Sequence, residues 1–292
     1  MSWRIHAGRR QLWGYGFLLP MLALLVLFKF APMTLALYLS LTEYDLLGPP
    51  RLVGLRNYVT LAHEPLFFQS LWVTVYYVFG TCVPLWVLSL ALALVFSSAI
   101  PARGVLQLVY FLPAVVPLVV HGVAWRFVLH PYGLLNASLR ALGLPAVDWL
   151  ADSRAVVPGL ILASEWRLVP YFMILYLAGL RAIPKEYHEA ASIDGASAIQ
   201  RFRHVTLPLL RPTIALVVVV STLLTSKAFT SVLFISNGGP DGASRVLSLF
   251  IHQTGFQYLK MGLASAASVV FLLSILVFTL VQLRLFRDAR RG

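Results

Sequence analysis

Six long apolar runs, at about residues 12–39, 68–96, 105–129, 156–180, 213–235 and 262–285, alternate with short polar segments. A hydrocarbon core about 30 Å thick needs roughly 20 helical residues to cross it, so each run is expected to form one transmembrane helix. Pro20, Pro84, Pro113, Pro117 and Pro170 interrupt the runs. Membrane bundles tolerate such prolines because neighbouring helices can satisfy the backbone groups they free. The first two runs exceed the minimum length, which predicts tilt or extension beyond the bilayer. The first is also longer than the apolar region of a secretory signal, about 7–15 residues, and no small-x-small cleavage site follows it. It is expected to stay as the first span.

One polar interruption is longer than the others, at 181–212 between the fourth and fifth runs. It contains Glu189-Ala190-Ala191-Ser192-Ile193-Asp194-Gly195-Ala196, then Phe202, and closes with Leu207-Pro208-Leu209-Leu210-Arg211-Pro212. The Ala- and Glu-rich stretch from Tyr187 to Ile193 favours a helix. Gly195 offers the permissive backbone of a sharp turn. Ile199, Phe202 and Val205 recur at three-residue spacing, predicting a second short helix with one apolar face. Pro208 and Pro212 are expected to end that helix and open the fifth span. In so oily a chain, this elbow is where contact with a soluble partner is expected.

Composition supports the membrane reading. Of 292 residues 59% are hydrophobic and 12% charged, where soluble domains carry about a quarter charged. The mean hydropathy is +0.82. A net charge of +12 raises the question of nucleic acid, but the basic residues flank apolar runs in short clusters and form no basic face. They read as topology signals. With the N-terminus inside, thirteen Lys and Arg fall in inner segments, six in outer ones and four within spans. Both tails, 1–11 and 286–292, and the elbow are then expected on the cytoplasmic side. Cys82 is the single cysteine and sits in an apolar run, so a buried, unreactive thiol is expected.

Five ionisable residues lie inside the expected spans: Lys29, Arg126, Glu165, Arg167 and Lys227. Lys29 and Arg126 are near outer ends, where a long side chain can snorkel to the interface. Glu165, Arg167 and Lys227 are deeper. Residues two apart do not share a helical face, so Glu165 and Arg167 are expected to find partners on other spans. They either line a polar path or make structural ion pairs. The aromatics Trp125, Trp166, Tyr171 and Phe229 fall near the same polar spots, and read either as sugar-stacking surfaces or as an interfacial belt. No phosphate-binding loop, zinc-protease motif or Cys/His cluster with metal spacing occurs. Energy for any transport is therefore expected from another polypeptide or a gradient.

The ordered pattern Glu-Ala-Ala, two residues, Asp-Gly-Ala, a Phe and a Leu-Pro-x-x-x-Pro close resembles the loop of permease subunits in binding-protein-dependent ABC importers. Further stretches are similar to the sugar-transporting branch of that family: Gly54 to Tyr58, Pro131 to Asn136, Leu180 to Pro184 and Ser236 to Pro240. So are the Trp166-Arg167 pair and a Lys two residues ahead of Phe229, whereas Glu165 is less usual there.

The resemblance implies an all-α polytopic fold, the type I importer permease fold, with six transmembrane helices over 12–285 and a cytoplasmic coupling helix. Glu189, Ala190, Ala191, Asp194, Gly195, Ala196, Phe202 and Pro208 would form the ATPase-coupling surface. Glu165, Trp166, Arg167, Tyr171, Lys227 and Phe229 are the substrate-path candidates. It further implies a second permease subunit, two ATPase subunits, an extracytoplasmic solute-binding protein and a cell (inner or plasma) membrane location. The chain itself would hold no cofactor and no metal and catalyse nothing, ATP and Mg being bound by the ATPase subunits. The expected solute is a sugar, oligosaccharide or glycerol-phosphate-like molecule. Importers of polyamine, phosphonate or oxyanion, and a membrane scaffold without transport, are the rival expectations.

Overall fold

The computed structural model describes residues 17–98 and 101–288. The expected tail 1–11, the start of the first span, and positions 289–292 with Arg290 and Arg291 lie outside the described residues. Contacts divide the chain into two compact units, Met1–Glu64 with Ile251–Phe271, and Pro65–Phe250 with Leu272–Gly292.

In the first unit, helix α1 (Phe17–Ser40) is long and apolar enough to cross a membrane. Its turn at Val26–Phe30 is widened into a π-helical one. The widened turn precedes Pro32, whose ring would otherwise collide with the carbonyl four residues back. After α1, strands β1 (Thr42–Glu43) and β2 (Arg51–Leu52) pair antiparallel, with Thr42 opposite Leu52. Asp45 closes this hairpin by accepting the Leu47 and Gly48 amides at 3.1 and 3.2 Å. These bonds hold its carboxyl below the usual carboxylate range. Helix α2 (Arg56–Ala62) then sends Asn57 back to the end of α1. Its Nδ2 donates to the Ser40 and Thr42 carbonyls at 2.9 and 2.7 Å, while Tyr58 Oη donates to Ser40 Oγ at 2.8 Å. The Gly54 to Tyr58 stretch thus ties off a helix end whose carbonyls have no helical partner.

The second unit is built on two crossing helices, α3 (Pro65–Ser97) and α7 (Val156–Arg181). Between them come α4 (Arg103–Val115), α5 (Leu118–Val128) and α6 (Leu134–Ala141). Then follow α8 (Lys185–Ile193), α9 (Ala198–Ser226), α10 (Phe229–Ile235) and α11 (Leu247–His252). Helix α12 (Met261–Asp288) begins in the first unit and ends in the second. One apolar cluster joins Val73, Tyr77 and Cys82 of α3 to Leu160 and Ala163 of α7 and Val232 of α10. A second joins Leu85 and Phe96 to Phe172, Met173 and Tyr176 of α7 and to Leu210 and Val217 of α9.

In hydrocarbon such packing gains little from water release, and polar contacts between helices add about 0.6 kcal/mol each on average. Several are present. Tyr77 Oη donates to Ser164 Oγ at 2.6 Å, since that hydroxyl itself donates to the Leu160 carbonyl. Trp86 Nε1 donates to Ser221 Oγ at 2.8 Å, and Gln282 Nε2 to Thr222 Oγ1 at 3.1 Å. Cys82 is buried as expected, 3.3 Å from Thr225 Oγ1.

Two expected spans are built differently from their sequence reading. The run 105–129 is two helices, α4 and α5, bent by 96°. Val116 between them is extended, at φ −65° and ψ 129°, because the ring of Pro117 excludes helical backbone from the residue before it. Five helices are therefore long and apolar enough to cross a membrane, six if the bent pair is one span, among the described residues. The run 213–235 is also not one helix. Helix α9 starts in the elbow at Ala198, runs to Ser226 and stops, and α10 follows after Lys227 and Ala228.

Gly122 of α5 lies against α10: a Cβ there would stand 2.6 Å from Phe234 Cβ. Gly122→Val is expected to cost about 1–3 kcal/mol by overpacking. The check is the thermal midpoint of the detergent-purified protein, which should fall and then recover in part when Phe234→Gly, which removes the clashing Cβ, is added.

Candidate functional site

The elbow is a helix–turn–helix with both of its inner ends closed by the chain itself. Helix α8 ends in a left-handed glycine, Gly195 at φ +76°. The Ala196 amide donates to the Ala191 carbonyl at 2.9 Å and the Gly195 amide to the Ser192 carbonyl at 3.1 Å. This is the Schellman arrangement. The next helix opens on a capping box: Ser197 Oγ accepts the Gln200 amide at 3.4 Å, and Gln200 Oε1 accepts the Ser197 amide at 2.7 Å. Arg201 Nη1 donates to Ser192 Oγ, which donates to the His188 carbonyl at 2.8 Å.

Nothing in α8 is buried. Glu189, Ala190, Asp194 and Gly195 are exposed, Ala191 and Ala196 half-buried. Ile193 and Ile199, on either side of the turn, are 87% and 79% exposed. The expected apolar face of the second helix is consequently split, Ile199 facing out while Phe202 and Val205 are half-covered. Pro208 and Pro212 do not end that helix, contrary to expectation. The turn at Phe202–Thr206 is π-helical, placing the widened ring where Pro208 would meet the carbonyl four residues back. The helix continues through both prolines to Ser226.

On α7, Trp166 is half-exposed and stacks on His121 of α5 at 5.9 Å and 18°, with Trp125 edge-on at 6.0 Å. His121 is fully buried and its Nε2 donates to the Ala163 carbonyl at 2.9 Å. Glu165 and Arg167 flank Trp166. Contrary to the expectation of a partner on another span, both Glu165 oxygens are buried without a hydrogen-bond partner, as is Arg167 Nε. Tyr171 lies further along α7, exposed, edge-on to Phe172 at 5.1 Å. Lys227 and Phe229 are at the break between α9 and α10: Lys227 is the exposed C-cap, and Phe229, at the start of α10, is half-buried against the same apolar cluster as Trp125. The structure thus brings Trp166 together with Trp125 and His121, and packs Trp125 and Phe229 against one apolar cluster.

Sequence reasoning missed His121 and Arg201. It also missed the capping box, although Ser at 197 with Gln three residues on is a readable start signal. Acidic residues, cysteines and histidines form no metal-holding group among the described residues.

Apolar helices of this number and length define a multi-pass membrane protein. Residues 61–291 match the family described as binding-protein-dependent transport system inner membrane component. The chain belongs to that family. It is 33% identical over 95% of its length to the trehalose/maltose transport system permease protein MalF of Thermococcus litoralis, covering 94% of that protein. To the arabinooligosaccharides transport system permease protein AraP of Bacillus subtilis it is 30% identical, over 97% of this chain and 91% of that one. A chain of a bacterial ABC transporter involved in the import of the acidic polysaccharide alginate shares the fold, with a TM-score of 0.83, 24% identity and 96% of each chain covered.

The closed turn makes a local prediction. Ser197→Ala should cost the second helix about 0.5–2 kcal/mol, and Gly195→Ala should add strain at a positive φ. Hydrogen exchange of the amides between Ser192 and Arg201 is the measurement, and each change should speed it.

Proposed function

We propose that this chain is the permease subunit of an ATP-driven importer that moves a sugar, oligosaccharide or glycerol-linked solute inward. The observation that carries the reading is the elbow. A helix without a buried residue, closed at its turn and leading directly into a membrane-length helix, sits in a chain of the binding-protein-dependent family. The solute class rests on the relatives named for trehalose, maltose and arabinooligosaccharides. Aromatic faces such as Trp166 suit sugar rings, and the unpartnered oxygens of Glu165 suit hydroxyl donors.

In this reading Glu189, Ala190, Ala191, Asp194, Gly195, Ala196, Phe202 and Pro208 form the surface gripped by one of two ATPase subunits. Those subunits bind ATP and Mg, and this chain holds no cofactor and catalyses nothing. A second permease subunit completes the pathway and a solute-binding protein delivers to it from outside. The chain lies in the cell membrane with both termini and the elbow cytoplasmic, as the Lys and Arg distribution favours. Glu165, Trp166, Arg167, Tyr171, Lys227 and Phe229 line or border the solute path. ATP acts by shifting a two-state equilibrium, to the extent that the ATPase pair grips the elbow differently in each state.

Gly195→Pro or Glu189→Lys is expected to abolish solute-stimulated ATP hydrolysis by the assembled complex while the chain still inserts. Phosphate release in proteoliposomes, alongside membrane fractionation, checks it. Undiminished hydrolysis in both variants removes the coupling role from this loop.

A further inference from the structure

We infer that Arg201 and Ser192 are positioning residues that lock α8 to α9, so that the elbow and the fifth span move as one rigid piece. The inference rests on the docking role proposed above for Glu189 to Gly195 and says how a push there would be delivered.

Apolar burial orients α8 only weakly, since no residue in it is fully buried, Ala191 is half-buried, and nothing approaches within 4 Å of where a Gly195 Cβ would be. Polar links therefore carry much of its angle to α9. The Schellman bonds and the capping box close residues 191–200 at the turn itself. Bonds confined to a turn resist unwinding but give little leverage against bending. The bond from Arg201 to Ser192 crosses from one helix to the other, and Ser192 passes it on to the His188 carbonyl, deeper in α8. Arg201 stands in the first turn of a helix of 29 residues, Ala198–Ser226, that no break interrupts. At 1.5 Å per residue that helix is about 43 Å long, and it ends at Lys227, among the path candidates. A fixed angle at one end is therefore carried toward the other along one continuous helix, through the π turn at Phe202–Thr206.

Spin labels on exposed Tyr187 of α8 and exposed Leu216 of α9 test this, in a chain freed of its one cysteine by Cys82→Ala. Double electron–electron resonance is recorded on the isolated chain and on the assembled complex, without nucleotide and with ATP under non-hydrolysing conditions. A single narrow distance, the same in every state, is expected. Arg201→Ala and Ser192→Ala should each lose the narrow peak, and Arg201→Lys, which keeps a donor, should restore it. Ser192→Ala improves helix propensity, so its broadening would not report a melted α8. An Ala variant as narrow as the parent, a Lys variant as broad as Arg201→Ala, or a parent distance that shifts with ATP overturns the lock. The docking reading fails separately, by retained ATPase coupling in Glu189→Lys, and the isolated-chain distances still decide the lock in that case.

Discussion

In hydrocarbon a peptide group finds no water, so each N–H and C=O needs a partner within the protein. Proline cannot supply its N–H, and the shape of this chain follows from how each proline is absorbed. Ahead of Pro32 and Pro208 the helix widens by a π turn and goes on. At Pro117 the preceding residue becomes extended and the path swings by 96°. Pro84, Pro113, Pro170 and Pro212 remain inside helices. The same residue type leaves a continuous helix in one place and a corner in another; at Pro32 and Pro208 a widened ring relieves the clash with the carbonyl four residues back.

Where helices meet, hydroxyls and small residues take the place of a water-driven core. The α9 face carrying Ser221, Thr222 and Thr225 is bonded to Trp86, Gln282 and Cys82. His121 is bonded to a carbonyl of α7 and stacked on Trp166. Single bonds of this kind are weak, so the arrangement depends on their number and on close approach at positions such as Gly122. A set of modest contacts would suit the two-state permease proposed above.

Much of this was legible in the sequence. The apolar runs located the long helices because span length is set by bilayer thickness, and Glu189 to Gly195 announced an exposed helix and its turn through alanine, acid and glycine. The corner at Val116 and Pro117 was not legible, since hydropathy is blind to direction and most of the other prolines here are passed over. The passage of α9 through Pro208 and Pro212 was hidden for the converse reason: proline usually stops a helix, and nothing in the letters marks a π turn. His121 was missed because its role comes from Ala163 and Trp166, more than forty positions away. Arg201 was counted only as a topology charge.

Helix α1 has none of its most apolar stretch buried within the chain. That stretch gains no burial from the other described helices, only the end of α1 being tied by Asn57 and Tyr58, and its transfer from translocon to bilayer is governed by its own residues. Such a segment can be committed to the membrane before any of α3 to α12 has been made. Assembly of the rest then proceeds on a tether, with the search for partners reduced from three dimensions to the plane of the bilayer.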